Sequence, residues 1–529
     1  MRVTNIMMTT NMLNNITGNK ADMSTKFDQY ATGQKIQKPS EDPVVAIRSL
    51  KYRSNLTELK QYLDKNIEDG YSWMEVTEGA LNNMNTLLTN MYSYCNQGAQ
   101  DTYEVIDRDS ISQTLQQYKE QIYECLNADY AGRYVFSGFR TDTNVCYTGK
   151  ATETEYEITE PLTFENLIQK SYVLSGATYI EGASADDYKQ MAPNKKQAYC
   201  MNLAYDNVNQ LSSFTYVDAE GQEHDLLEEY TLNTVESTDT AETPGTIYSP
   251  YQVEDGAITF VKDTGELILS NEAYEALRTA KSISATYSKS EFVKGDIRPE
   301  MYFDCKGYPL VDDGTGNMVR RTDEEGNEMV TQYSKPREQD IYYEVNFGQK
   351  LKVNTMANEA LDSSLARVID DIMNAVNDAY NTQQSIDSVD LMLEDDSISS
   401  DKRSALEALK EQLETELTLK KAVIQEAFSN GMVGVKQAQD GTKVADEDGN
   451  VKKISVSIAT TSLGSRYTRL ELIENRLTDQ ETTFTEILDQ NESVNLEDAI
   501  INYNSAEVTY NASLSAAAKV VKNSLLDFI

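Results

Sequence analysis

The chain has one histidine, His224, so any Ser-His-Asp or Cys-His mechanism has to run through it. His224 lies in EGQEHDLLEE, a polar, acidic stretch that reads as an exposed loop or helix start. Neither a G-x-S-x-G elbow nor a cysteine box accompanies it, so no hydrolytic nucleophile is assembled. The five cysteines, Cys95, Cys125, Cys146, Cys200 and Cys305, are far apart and form no C-x-x-C. They give neither a zinc site nor a disulfide framework, and free buried thiols are the expectation. Gly314-Thr-Gly316 lacks the third glycine of a dinucleotide loop, and no phosphate-binding G-x-x-x-x-G-K-[ST] occurs. The acidic run Asp446-Glu-Asp448-Gly449-Asn450 resembles a calcium loop only locally. With Gly449 at the sixth position, Val444 falls where the first carboxylate is required, so a hairpin turn is expected there. The expected catalytic, metal and cofactor sites are therefore none.

Charge excludes further classes. Lys and Arg total 47 against 86 Asp and Glu, a net charge of −39. A nucleic-acid surface needs clustered cations, and an anionic membrane repels such a chain. No apolar run approaches the eighteen or so residues that a membrane span requires. The first twenty residues contain no continuous apolar segment followed by a small-residue cleavage site, so no standard cleaved secretory signal is expected, and composition alone reads as cytoplasmic unless export uses an uncleaved signal.

The elements that remain are helices, and proline distribution locates them. All nine prolines lie between Pro39 and Pro336, leaving 1–38, 44–160 and 337–529 free of helix breakers. In the first stretch Leu13, Ile16, Lys20, Met23, Phe27 and Tyr30 recur at steps of three or four, a heptad-like seam with one polar member. The joint KPSEDP ends that helix at about residue 36, and Pro39 biases its neighbour away from helical geometry. Asp42 is a good N-cap and Pro43 fits the first turn of a new helix. From Leu56 to Cys95 apolar residues continue at the same spacing. A third helix carrying Ile111, Leu115, Tyr118 and Ile122 is expected to end at Ala131-Gly132, with the glycine as a left-handed cap.

Residues 140–350 change character. Alternating segments such as GAITFVKDTGELIL read as strands around tight turns, and VDDGTGNMVRRTDEEGNEMV reads as hairpins. Helix returns near Met356. One stripe runs from Leu361 to Ala379 and a second from Leu406 to Phe428, predicting an antiparallel helical pair. GMVGVKQAQDGTKVADEDGNVKK is expected to be a hairpin-bearing loop behind it. After a break near Asn491–Asn495, the last helix places Ala499, Tyr503, Ala506, Tyr510, Leu514, Ala517, Val521, Leu525 and Phe528 on one face. Chain ends are ordinarily frayed and polar, so an apolar stripe there predicts a partner.

Four segments carry a family resemblance: MRVTNIMMTTNMLNN, ATGQKIQKPSEDPVVAIRSLKYRSNL, AGRYVFSG, and the tail from LGSRYTRLELIENRL to LEDAIINYNSAEVTYNASLSAAAKVVKNSLLDFI. They resemble the bacterial flagellin and hook-associated family. KPS-acid-DP, YVFSG and SLLDFI are most similar to the members that join hook to filament, with a divergent flagellin as the alternative. The resemblance implies an α+β chain. Both chain ends would build a long flagellin-type coiled-coil or bundle rod carrying an inserted β-rich outer domain. Its expected segments are an N-terminal arm at 1–42, the first part of the rod at 43–139, the β-rich insertion at 140–350, the second part of the rod with a helical-hairpin extension at 351–492, and a C-terminal arm at 493–529. The implied assembly seam is Leu13, Ile16, Met23, Phe27, Tyr30, Tyr503, Tyr510, Leu514, Val521, Leu525 and Phe528, with Pro39, Asp42 and Pro43 as the joint. The implied partners are copies of itself, a hook-side hook-associated protein, flagellin, and an export chaperone on the C-terminal helix. The implied location is the extracellular flagellum, reached without a cleaved signal peptide.

Overall fold

In the computed structural model the described residues are 5–239, 246–314, 317–323, 325–333, 339–395, 398–445 and 451–526, with no side-chain description at 5, 165, 445, 451 and 520–526. They form an α+β chain with helices at both ends and a β-rich middle. It divides into two compact units. The first comprises Met1–Tyr71, Tyr343–Leu351 and Thr468–Ile529, and the second Ser72–Tyr342 and Lys352–Tyr467.

In the first unit an N-terminal arm helix, Asn5–Thr32, is followed by the joint and the helix Pro43–Gln61. A single π-helical turn, Tyr62–Ile67, leads from it into the helix Glu68–Gly98. The returning chain supplies the end of the helix Val456–Glu492 and then the C-terminal arm helix, Leu496–Leu526. Leu59, Ile67, Leu470, Ile473 and Leu477 are buried. Polar ties join the segments of this unit: the Tyr71 hydroxyl donates to Glu474 at 2.8 Å, and Asn66 Nδ2 donates to the Glu344 carbonyl at 2.7 Å.

The second unit contains, among the described residues, two large antiparallel-dominated sheets. One has five strands in the order Leu167–Leu174, Asn194–Asn202, Glu266–Leu269, Ala257–Val261 and Thr231–Val235, the last pair parallel. The other is seven-stranded, centred on Thr154–Leu162 and Ser282–Lys289. The segment GAITFVKDTGELIL forms the expected strands, but Ala257–Val261 and Glu266–Leu269 are buried at every position rather than at alternate ones. Beside them the helices Ser364–Leu393 and Ser400–Asp440 pack together, burying Ile372, Val376, Leu409 and Phe428.

Two expectations need correction. The helix Val105–Cys125 ends before Ala131-Gly132. Those two residues, at φ 52° and 77°, instead turn the hairpin that pairs Asp129–Tyr130 with Arg133–Tyr134. Two successive positive φ values are what a two-residue hairpin turn needs, and a helix cap needs one. The hairpin lays the Arg133 guanidinium 5.0 Å from the Trp73 ring and buries Val135, Phe136 and Ser137, which accounts for the YVFSG segment.

The second correction concerns GMVGVKQAQD, which is helix through Asp440 rather than loop. Its glycines mark close packing. A Cβ on Gly431 would lie 2.6 Å from Ile372 Cδ1, and one on Gly434 would lie 2.8 Å from Val368 Cγ2. The glycines therefore allow the two helices to approach at the cost of helix propensity. Only Thr442–Ala445 and Val451–Ile454 form the expected hairpin, and the acidic run 446–450 lies outside the described residues.

Candidate functional site: the paired arms and their joint

The two arm helices run antiparallel, because the backbone locks the end of one to the start of the other. Lys35 N donates to the Glu492 carbonyl at 2.7 Å and Val494 N to the Gly33 carbonyl at 2.8 Å. Gln34 and Ser493 sit opposite each other in an antiparallel bridge. Gly33, at φ 70°, makes the turn out of the arm helix possible. Beyond this clasp the Tyr503 ring stacks on Tyr30 at 6.2 Å and meets Phe27 at 5.6 Å. Such aromatic pairs contribute about 0.5–1.5 kcal/mol beyond area burial.

On the C-terminal arm the covered positions are Ala499, Tyr503, Ala506, Tyr510, Ser513 and Ala517, alternating steps of four and three. On the N-terminal arm they are Met12, Ile16, Asn19, Met23, Lys26 and Gln29. Among the expected seam residues, Ile16, Met23, Tyr503 and Tyr510 are half-buried on these stripes. Leu13, Phe27, Tyr30 and Leu514 lie beside the stripe, 59%, 49%, 39% and 41% exposed. Phe27 and Tyr30 nonetheless touch Tyr503, while Leu13 and Leu514 stay uncovered. The physical reason is width. One helix covers only a narrow seam of another, and these arms carry apolar residues around a broader arc. Ile6, Ile500, Ile501 and Val508 extend the uncovered surface. The side chains of Val521 and Leu525, and Phe528 altogether, lie outside the described residues.

The joint is built from the acids and prolines of KPSEDP. Asp42 Oδ1 accepts from Val44 N at 3.0 Å and Val45 N at 3.1 Å, satisfying two of the orphan donors of the next helix. Pro43 occupies the first turn and Pro39 is exposed in the turn before it. The residues that bind this joint to the returning chain are not evident from periodicity. Asn491 Nδ2 donates to the Val45 carbonyl at 3.1 Å and to Ser49 Oγ at 2.7 Å. Arg53 forms a two-pronged pair with Glu492 at 2.8 and 2.7 Å, and its guanidinium holds the Glu492 carboxyl below the usual range. Their one sequence signal is a polar break, DQNESVN, at a place where the apolar stripe pauses.

The other candidates fall in the second unit and do not converge. His224 sits between Asp218 at 3.1 Å and Glu229 at 3.0 Å, one on each ring nitrogen, with no nucleophile beside it among the described residues. All five cysteines are free, and burial pushes the Cys95 thiol up to about 12. No group of three metal-ligating side chains occurs among the described residues. Among them, too, no helix is long and apolar enough to cross a membrane. Gly314 N–H donates to Asp312 Oδ1 at 2.8 Å, and Gly316 lies outside the described residues.

Residues 3–141, which supply the N-terminal arm, the joint and the helices after it, match the family model for the bacterial flagellin N-terminal helical region. This part of the chain is similar to flagellin-type helical regions. More particularly, the chain is similar to flagellar hook-associated protein 3 of Escherichia coli, 25% identical over 146 residues, 27% of this chain and 45% of that protein. A flagellin of Clostridium tyrobutyricum is 27% identical over 121 residues, 23% of this chain and 32% of that protein. The match thus spans under half the length of these relatives. Among solved structures, a putative flagellar hook-associated protein from Vibrio parahaemolyticus aligns over 86% of this chain and 100% of its own, at 12% identity and TM-score 0.34. The flagellar junction protein FlgL from Legionella pneumophila aligns over 85% and 100%, at 11% identity and TM-score 0.26.

Proposed function

We propose that this chain is a structural component of the bacterial flagellum, a hook-associated junction protein that connects hook to filament. The observation that carries the reading is the antiparallel pair of arm helices, clasped at Gly33–Lys35 and Glu492–Val494, with apolar residues uncovered on both members. One helix pair cannot cover that surface, so further helices must. Burial at about 25 cal/mol per Å² of apolar surface makes such packing favourable when neighbours arrive. Contacts made head to tail between copies propagate rather than close, as a tubular junction requires. The similarity of residues 3–141 to flagellar proteins supports the same assignment.

On this reading the seam residues Leu13, Ile16, Met23, Phe27, Tyr30, Tyr503, Tyr510, Leu514, Val521, Leu525 and Phe528 make assembly contacts. Pro39, Asp42 and Pro43 set the angle between arm and rod. The role is structural, without catalysis. The partners are other copies, a hook-side hook-associated protein below and flagellin above, and a chaperone covers the C-terminal helix before export without a cleaved signal.

Labelling the protein on intact flagella tests the placement. A band confined to the hook boundary is expected, and staining along the filament would instead make it a flagellin. Removing residues 493–529 is expected to abolish incorporation while leaving Ser72–Tyr342 and Lys352–Tyr467 folded, since those segments form a compact unit of their own. A truncated chain that still entered flagella would sink the arm-based reading.

A further inference from the structure

The five-stranded sheet holds a largely buried lysine between two carboxylates. Lys170 lies on the strand Leu167–Leu174. Glu266 opens the strand Glu266–Leu269, directly opposite Asn202 in the antiparallel register. Asp371 comes from the helix Ser364–Leu393. Lys170 Nζ donates to Glu266 Oε1 and, at 3.0 Å, to Asp371 Oδ1. The side chains are 19%, 2% and 17% exposed. Asn202 Nδ2 donates to Asp371 Oδ2 at 3.1 Å, Thr264 Oγ1 donates to Glu266 Oε2 at 2.9 Å, and the Tyr251 ring lies 5.1 Å from the ammonium.

Lys170 is shared by two carboxylates, and the buried Arg367, itself paired with Asp370, also acts on Asp371; burial nonetheless favours the neutral form of one carboxyl. The surroundings decide which. Burial pushes the Asp371 carboxyl up, and Lys170 holds the Glu266 carboxyl down despite its own burial. The arrangement is therefore an ammonium whose charged form both neighbouring carboxyl groups favour, a carboxyl whose Oδ1 lies 3.0 Å from its nitrogen, and a carboxylate in contact with it that can take its proton. By contrast, Lys420 is also held by two carboxylates, but one of them, Asp378, is 61% exposed.

We propose that Lys170 and Asp371 condense into an intramolecular amide bond, cross-linking the five-stranded sheet to the helix Ser364–Leu393, with Glu266 as the proton carrier. The Glu266 carboxylate takes one proton from the Lys170 ammonium. The freed lone pair on Nζ attacks Asp371 Cγ, whose Oδ2 is held by Asn202 as charge develops there. A second nitrogen proton passes by way of Glu266 to the departing hydroxyl of Asp371. A C–N bond forms, a C–O bond breaks and one water leaves. Glu266 ends as the neutral acid, and no oxidant or reductant is consumed. The fixed geometry supplies the proximity that makes an otherwise sluggish condensation intramolecular, and the burial of the three side chains restricts the solvent that would reverse it.

Mass spectrometry of the full-length folded chain, denatured for measurement, tests this. The expected mass is lower than the sequence mass by one water. Proteolysis should yield one branched peptide joining Lys170 to Asp371. Lys170→Arg and Glu266→Ala are each expected to restore the full sequence mass. Because the wild-type chain carries the primary readout, a variant that fails to fold leaves the test intact. A folded wild-type chain of full mass overturns the proposal. So does a lost water that maps to another residue or to a Lys170–Glu266 bond.

Discussion

Arg53 and Glu492, 439 residues apart in sequence, meet side by side: Nε and Nη2 of the guanidinium donate to the two carboxylate oxygens at 2.8 and 2.7 Å. The pair ties the helix Pro43–Gln61 to the point where the returning chain bends into the helix Leu496–Leu526. Arg53 is 60% exposed and Glu492 22%, so solvent screens the attraction.

Glu492→Gln should cost only about 0.5–1 kcal/mol of stability in the first unit. Its signature is pH. Arg53 lowers the folded-state pKa of Glu492, so the contribution is fully present above the unfolded value of about 4.3 and is lost as pH falls through the lowered value. Acid titration followed by amide exchange at residues 491–495 should show that loss in the native chain and not in the variant.

Asp42→Ala leaves Val44 and Val45 N–H without their acceptor, and the expected loss is about 1 kcal/mol. Asp42→Asn should retain most of it, because the amide oxygen still accepts. Thermal unfolding of the three chains side by side distinguishes a capping role from a charge role.

Two helical glycines should respond with opposite signs to the same substitution. Gly79 is exposed, and a Cβ added there would meet nothing within 4 Å, so Gly79→Ala should stabilise by about 0.4–1 kcal/mol. At Gly98 a Cβ would sit 2.4 Å from Phe428 Cε1, a fully buried ring. Overpacking of this kind costs about 1–3 kcal/mol, more than the helix-propensity gain, so Gly98→Ala should destabilise. Urea denaturation reads both signs.

Glu160 is buried and accepts hydrogen bonds from the Tyr287 hydroxyl at 2.7 Å and Ala204 N at 2.9 Å. Burial pushes its carboxyl up to about 7. The folded state therefore holds a proton that the unfolded chain releases near 4.3, and the associated stability is lost as pH rises from that value through about 7. Glu160→Gln keeps an acceptor for both donors and should flatten that slope in denaturant unfolding measured between about pH 5 and about pH 8.

The helical ends of this chain were legible because they obey local rules. Asp42 and Pro43 announce a helix start through chemistry within three residues, and the structure caps the helix there. The Met74–Cys95 stripe carries a spacing that any partner would bury, and Met74, Leu81, Met84, Leu88 and Met91 are fully buried. Gly431 and Gly434 mislead for the opposite reason. Glycine in sequence signals a turn, and only the neighbouring Val368 and Ile372 make it a packing requirement.

By itself, the sequence determined which segments are helical arms, where the joint falls, and that no nucleophile–base pair is within local reach. Periodicity and capping are properties of adjacent residues, so they survive without knowledge of the rest of the chain. Tertiary structure alone decided that Tyr503 meets Tyr30, that Arg53 finds Glu492, and that Lys170 is enclosed with Glu266 and Asp371. Such pairings join residues tens to hundreds of positions apart, and the charge and apolar stripes on each side are compatible with many partners. Which face of an arm is covered, and which is left exposed, depends on the one packing that the whole chain adopts.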